Sequence, residues 1–331
     1  MSDSISIGVI GVGHLGSLHV KMLSGIDGVR LAGVFDIDRS RADEVAGQYR
    51  TTVAGSVEDI LRVSDAVCVV TPTSTHHEIA SRAIAAGRHV FIEKPICATV
   101  SEADDLIRLA RAHGVRIQVG HIERFNPALL ALKEYELRPM FIESHRLAQF
   151  NPRGTDVAVV LDLMIHDIDV IVSLVNSPVA RIEANGVAVV SPTIDIANAR
   201  VQFENGCVAN VTASRISQKK MRKMRLFQRD TYISIDFSEG LAEVFRLAGD
   251  GSAQMPHAVA LGQIDTGTAK RTILYEQPEV REVNALKYEL EQFRDTVRTG
   301  QPPVVTAEAG REALHIASAI LRKIEEQKLV M

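Results

Sequence analysis

From Ile5 to Val119 the chain alternates short runs of β-branched residues with stretches whose apolar positions fall three and four apart. Ile5–Ile10, Leu31–Asp36, Ala66–Val70, His89–Ile92 and Arg116–Val119 read as strands. His14–Gly25, Arg39–Tyr49, Thr75–Ala86 and Ser101–His113 read as helices. Strands separated by helices need crossover connections, which predicts a parallel sheet covered on both faces. The strand runs are continuously apolar, as burial of both faces requires.

The pattern changes near Gly120. Helical stretches at Arg124–Glu134 and Asp156–Val175 enclose a strand near Met140–Leu147. Strand-like segments then follow without helices between them: Val179–Val190, Ile194–Phe203, Val208–Ile216, Lys223–Phe227, Tyr232–Phe237 and Ala242–Leu247. Asn205-Gly206, between two alternating runs, predicts a hairpin. Gly249 to Lys270 is weakly patterned and reads as a loop, and helices at Asn284–Arg298 and Ala307–Gln327 close the chain. The expected fold class is α/β. A doubly wound parallel sheet occupies residues 1–120, and an α+β domain with a large, mainly antiparallel, open-faced sheet occupies 121–331. The C-terminal helix has the option of packing back on the first domain.

Composition narrows the function. Apolar residues make up 46% of 331 and charged residues 24%, the profile of a chain with a packed core. Aromatics are only 5% and Trp is absent, which argues against a platform for stacking bases. The 37 Lys and Arg against 41 Asp and Glu give −4, so no global basic field exists for a nucleic acid. Cys68, Cys97 and Cys207 are odd in number and far apart, unlike a disulfide framework or a zinc ribbon. Cys97 reads as a small buried residue. No leader pattern and no run of about 18 apolar residues is present, so a cytoplasmic location away from membranes is expected.

The segment SIGVIGVGHLGSLHV places Gly11, Gly13 and Gly16 between a strand and a helix. That context turns a G-x-G-x-x-G into a dinucleotide fingerprint and the first domain into a Rossmann fold. The glycines permit a tight turn and close approach of backbone N–H groups to a pyrophosphate, beside His14 and Leu15 at the helix N-terminus. Asp36 lies 20 residues after Gly16, where a carboxylate accepts ribose hydroxyls and repels a 2′-phosphate. NAD is therefore expected over NADP, with Arg39 and Arg41 moderating the preference.

Thr71-Pro72-Thr73-Ser74-Thr75-His76 after one strand and Glu93-Lys94-Pro95 after the next, together with the glycine loop, resemble the Gfo/Idh/MocA family of oxidoreductases. LDLMIHDID resembles the family's D-x-G-x-H-x-x-D helix, with Asp162, His166 and Asp169 in register and Met164 in place of the usual glycine. The phrase GHIERFNP departs from the common family pattern at Ile122 and Glu123 and is most similar to a sugar-nucleotide branch, the UDP-N-acetylglucosamine 3-dehydrogenases. That branch implies oxidation of a C3 hydroxyl to a ketone, which an aminotransferase converts to a 3-amino sugar for lipid A or surface polysaccharide.

Taking hydride from a secondary alcohol needs a base for the hydroxyl proton and positive charge near the developing alkoxide. Lys94, at the carboxyl end of a parallel strand, suits the second task, and His166, which titrates near working pH, suits the first. Asp162, one helical turn earlier, orients the imidazole or the sugar. Thr71, Pro72, Thr73, His76 and Glu93 are expected beside the cofactor. Arg124 and Asn126 are expected at the substrate, with the alternative that Arg124 only ties its helix to neighbours. The basic stretch Arg215–Arg225 has two readings: a solvated hairpin or edge strand, or a surface from which Arg215 or Lys219 meets a substrate diphosphate. Asp162, His166, Asp169 and the His76-His77 pair do not make a known metal motif, and hydride transfer to NAD needs no metal. Competing functions are oxidation of a UDP-sugar uronate or of a free polyol such as myo-inositol, and a non-catalytic NAD-binding regulator. The open sheet face is expected to be buried in a homodimer or homotetramer.

Overall fold

The computed structural model describes residues 4–152, 155, 157–249, 258–265, 267 and 270–328. They form two compact units: Met1–Ile122 with Asn284–His315, and Glu123–Val283 with Ile316–Met331.

In the first unit β1 (Ile5–Ile10), β2 (Val29–Phe35), β3 (Ala66–Val69), β4 (His89–Glu93) and β5 (Ile117–Gly120) form a parallel sheet of order β2-β1-β3-β4-β5. The helices α1 (His14–Leu23), α2 (Arg39–Tyr49), α3 (Val57–Val63), α4 (His76–Ala85) and α5 (Val100–His113) connect them. Every residue of β1 is buried, as its unbroken apolar run requires. The helix α3 is absent from the sequence reading, because seven residues are too few for a helical period to stand out. Ser56 caps it through a hydrogen bond from Asp59 N–H, a signal that is legible in hindsight.

Residues 284–315, placed in the second domain by the sequence pattern, belong to the first unit. Their helix α8 (Ala285–Thr299) sets Leu290 and Phe293 in the core beside Leu23 and Phe91, with the two Phe rings edge-on at 5.7 Å. The next helix, α9 (Ala307–Lys328), approaches β5 closely: a Cβ at Gly310 would lie 2.7 Å from Val119 Cγ2.

The second unit is built on a nine-stranded sheet. Its strands are β6 (Phe141–Leu147), β7 (Val179–Val187), β8 (Ile196–Phe203), β9 (Val208–Ser214), β10 (Met221–Gln228), β11 (Thr231–Asp236), β12 (Leu241–Ala248), β13 (Val259–Asp265) and β14 (Lys270–Glu276). Their order is β13-β14-β12-β11-β10-β6-β9-β8-β7, antiparallel except for the β6–β9 pair. The predicted hairpin joins β8 to β9, with Gly206 at φ +87°. Both edge strands carry a register irregularity, between Val179 and Arg181 in β7 and between Ala260 and Gly262 in β13.

Three sequence expectations change here. The segment Gly249–Lys270 contains β13, whose residues are all exposed and so lack the alternation that a buried face imprints; its residues 250–257, 266, 268 and 269 lie outside the described residues. Arg124–Glu134 is a 3₁₀ turn (Ile122–Phe125) and one short helix, α6 (Pro127–Leu130), which Asn126 caps and Pro127 opens. The stretch Asp156–Val175, whose first residue lies outside the described residues, resolves into a π turn at Val160–Met164 leading into α7 (Ile165–Val175).

One face of the sheet is covered, with α7 against β6 and β9, and Ile142, Met224, Leu226, Ala209 and Val211 on that face are all buried. On the other, Phe141, Phe227, Tyr232, Phe245 and Tyr275 form a row across five strands, each ring 5.1–5.8 Å from the next. A third of the chain's ten Phe and five Tyr stand in that row.

Ionic contacts run through the covered face. Arg146 of β6 donates to Asp167 of α7 at 2.8 and 3.0 Å and to Glu123 at 2.8 Å, with all three side chains buried. Burial pushes the Arg146 pKa down, and the two carboxylates more than offset it, holding the guanidinium charged. Removing one partner strands buried charge, so Arg146→Ala is expected to cost about 3–5 kcal/mol in urea unfolding. A loss below about 1 kcal/mol would mean that the network is solvated in solution.

Candidate active site

The strand order of the first unit reverses between β1 and β3, the switch point at which such sheets bind ligands. The glycine loop leaves β1 there and the Thr71–Thr73 turn leaves β3. Gly11 has φ +86°, and a Cβ on it would lie 2.6 Å from Val70 O. A Cβ on Gly16 would lie 1.9 Å from Gly11 O, so the helix packs on its own loop only with glycine. Gly13 faces open space, and Gly13, His14 and Leu15 are exposed at the N-terminus of α1, which has no side-chain cap. Uncapped N–H groups at an exposed helix start suit a pyrophosphate.

Asp36 is held in place. Its Oδ2 accepts from Val12 N–H at 2.7 Å and its Oδ1 from Asp38 N–H at 3.0 Å. Each carboxylate oxygen keeps a second lone pair for a ribose hydroxyl. Arg39 pairs with Asp43 at 3.0 Å and Arg41 with Glu44 at 2.7 Å, so neither cation lacks a carboxylate. This arrangement fits NAD, and the residues that would hold it are Gly11, Gly13, His14, Leu15, Gly16 and Asp36.

Thr71 accepts from the Thr75 hydroxyl at 2.8 Å, which closes the turn after β3. His76 is buried: its Nε2 lies 2.8 Å from Thr71 O and its Nδ1 3.0 Å from Pro95 O. The ring thus sits between the Thr71 turn and the Glu93-Lys94-Pro95 turn, where the Lys94–Pro95 bond is cis, and when neutral it donates to one of the two carbonyls. Burial lowers the His76 pKa, outweighing the two carbonyls that favour the charged ring. Lys94 follows β4 and is half-buried. Glu93 accepts from His19 Nε2 at 2.8 Å and from Lys94 N–H at 3.1 Å. Burial raises the Glu93 pKa, but the His19 hydrogen bond and the charges of His19 and Lys94 win, leaving it lowered.

In the second unit, Asp162 on the π turn and His166 on α7 are half-exposed, whereas Met164, Ile165, Asp167, Ile168, Asp169 and Val170 around them are buried. Asp162 lines a cavity of about 510 Å³ with Leu147, Asn151, Arg215, Arg222 and Ser238. Arg124 donates to Asp169 at 2.6 and 3.0 Å, the bracing alternative. The Asn126 amide donates to Glu123 and to Phe237 O and accepts from Ala128 N–H.

The basic stretch is not one surface. Arg215 is buried, donates to Ile194 O at 3.0 Å and to Val157 O, and lies 3.6 Å from Asp195. Lys219 and Lys220 are exposed in the turn before β10. Lys223 and Arg225 pair with Asp236 and Glu143 at 3.0 and 3.7 Å. The edge-strand reading also fails, because β10 lies inside the sheet between β6 and β11.

His19, Glu123, Arg146 and Asp167 escape the sequence reading. Each leaves a trace: a charged or titratable residue in an apolar periodic position, such as His19 three after Gly16 on the sheet-facing side of α1.

A glycine-loop nucleotide site followed by a helix-plus-sheet unit defines an NAD-binding oxidoreductase. Residues 5–121 match the oxidoreductase family model of the NAD-binding Rossmann fold, and residues 140–243 match the Gfo/Idh/MocA C-terminal domain. The chain belongs to the Gfo/Idh/MocA family. It is 37% identical to a UDP-N-acetylglucosamine 3-dehydrogenase of Acidithiobacillus ferrooxidans over 96% of both chains. A solved structure of that enzyme superposes with TM-score 0.87 at 35% identity, covering 98% of each chain. A myo-inositol 2-dehydrogenase of Thermotoga maritima is 26% identical over 98% of this chain and 97% of its own.

His76 yields a pH prediction. A histidine whose pKa is lowered by folding contributes stability that is present above its unfolded pKa, near 6.5, and lost as pH falls through the folded value. Thermal unfolding of the wild type is expected to weaken below about pH 6.5, by at most about 1.4 kcal/mol per pH unit from this group. The acid loss should be smaller in His76→Gln; an identical profile would show that burial does not hold the ring neutral.

Proposed function

We propose that the chain oxidises the C3 hydroxyl of UDP-N-acetylglucosamine with NAD, giving the 3-keto sugar nucleotide, NADH and a proton. The observation that carries this reading is the 37% identity, over 96% of both chains, to an enzyme named for that reaction. The cation-lined cavity beside Asp162 supports a charged sugar nucleotide over a free polyol.

In this reading the first unit binds the cofactor and the second the sugar nucleotide. Bound NAD supplies the acceptor for the C3 hydride. His166 takes the hydroxyl proton, Asp162 orients the reacting sugar, and the Lys94 ammonium stabilises the alkoxide as it develops. Glu93 and His19 hold Lys94 from behind through the Glu93 carboxylate, and the Thr71–Thr73 turn supports the cofactor. Arg124 and Asn126 are assigned positioning roles, since their polar atoms already bind protein partners. The ketone then serves an aminotransferase in the cytoplasm, leading to a 3-amino sugar for lipid A or surface polysaccharide. Among the described residues, no helix is long and apolar enough to cross a membrane.

The test is an NAD-reduction screen across UDP-sugars, their uronates and inositols, with an aminotransferase and amino donor to trap ketones. UDP-N-acetylglucosamine is expected to give the highest kcat/KM; preference for an inositol would replace this reading. Lys94→Ala and His166→Ala are each expected to lower kcat about 10²–10⁴-fold while NAD binding remains measurable. Full turnover by both would remove the site assignment.

The aromatic row on the open sheet face is assigned to a contact with a second copy of the chain. Sedimentation at micromolar concentration is expected to give a dimer or tetramer, and Phe227→Arg to weaken it. A wild-type monomer would overturn that assignment.

A further inference from the structure

The cavity that holds Asp162 carries more positive charge than the oxidation chemistry requires. Three cations line it: Arg215, Lys220 and Arg222. Arg215 is already committed to Asp195 and to two backbone carbonyls. Arg222 is held loosely. Its only ion-pair partner among the described residues is Glu123 at 3.8 Å, and that carboxylate already accepts from Arg146 at 2.8 Å and from Asn126 at 3.1 Å. The Arg222 side chain is 55% exposed, and Lys220 stands exposed two residues before it.

We propose that Lys220 and Arg222 form the diphosphate subsite of the sugar-nucleotide site, with Asp162 at the sugar end of the same cavity. The inference rests on the reading above and makes it specific. A free polyol brings no charge to these cations, whereas a diphosphate supplies several oxygens for charge-assisted hydrogen bonds, which a guanidinium and an ammonium donate well. The volume of about 510 Å³ lies in the range of small-molecule sites. The subsite moves the expected phosphate contact from Arg215 and Lys219 to the next cations along the chain. The physical reason is that Arg215 is turned inward by Asp195, while the start of β10 directs Arg222 to the covered face, in register with Met224 and Leu226.

The test titrates UDP into the full-length protein by calorimetry with NADH saturating, so that the dinucleotide site is filled. Wild type is expected to bind UDP saturably. The double variant Lys220→Ala/Arg222→Ala is expected to bind about 10–100-fold more weakly, and Arg138→Ala, on an exposed surface, as wild type. KM for UDP-N-acetylglucosamine should rise by a similar factor with kcat within about threefold. Circular dichroism checks folding, and Lys220→Gln/Arg222→Gln replaces the alanine pair if that pair fails to fold. Unchanged UDP affinity in the double variant, or no UDP binding by wild type, overturns the subsite even if UDP-N-acetylglucosamine is oxidised. UDP binding that depends on the pair, without oxidation of UDP-N-acetylglucosamine, keeps the subsite and removes the substrate reading.

Discussion

Two arginines give α7 its orientation. The helix is otherwise nearly all apolar on its packed side, and apolar burial is non-directional, so packing alone leaves its rotation and sliding weakly specified. Arg146 reaches it from β6 at Asp167, and Arg124 reaches it from the turn after β5 at Asp169. The two aspartates, both buried, are two residues apart and so project from different sides of the helix, and the pair of contacts fixes both rotation and axial position. Such buried pairs add little net stability compared with a well-packed apolar alternative, because desolvation consumes most of the Coulombic gain. Their effect here is geometric. His166 immediately precedes Asp167 and lies four residues after Asp162, and both His166 and Asp162 are half-exposed.

The first unit solves a comparable problem with backbone. The turn between β1 and α1 is so close that Gly11 and Gly16 admit no side chain, and Asp36 ties the end of β2 to that turn through Val12 N–H. Behind it, His19 reaches from α1 to Glu93 at the end of β4. The loop that fits a pyrophosphate and the turn that presents Lys94 thus share one helix as their support.

The sheet-and-helix order of the first unit is legible because burial on both faces writes continuous apolar runs, and β1 and α2 fall where the pattern puts them. The nucleotide loop is legible because steric necessity leaves glycine as its mark. The ion network is not, because a pairing such as Arg124 with Asp169 depends on tertiary approach across 45 residues. Charge runs mislead for a related reason. Arg215–Arg225 looks continuous in sequence, yet a turn and the alternation of β10 send its members to the interior, the cavity and the open face. The π turn at Val160–Met164 is equally silent, since its residues keep a helical composition, and Met164 within it is fully buried.

The irregular registers at the two ends of the nine-stranded sheet bear on how the molecule stays a finite object. A regular outer strand is a template on which any extended chain can continue the ladder, and a sheet this wide multiplies the cost of such an error. An extra residue bends the outer strand, increases its twist and leaves its N–H and C=O groups out of step with an incoming partner. Growth of this sheet sideways is thereby resisted at both margins.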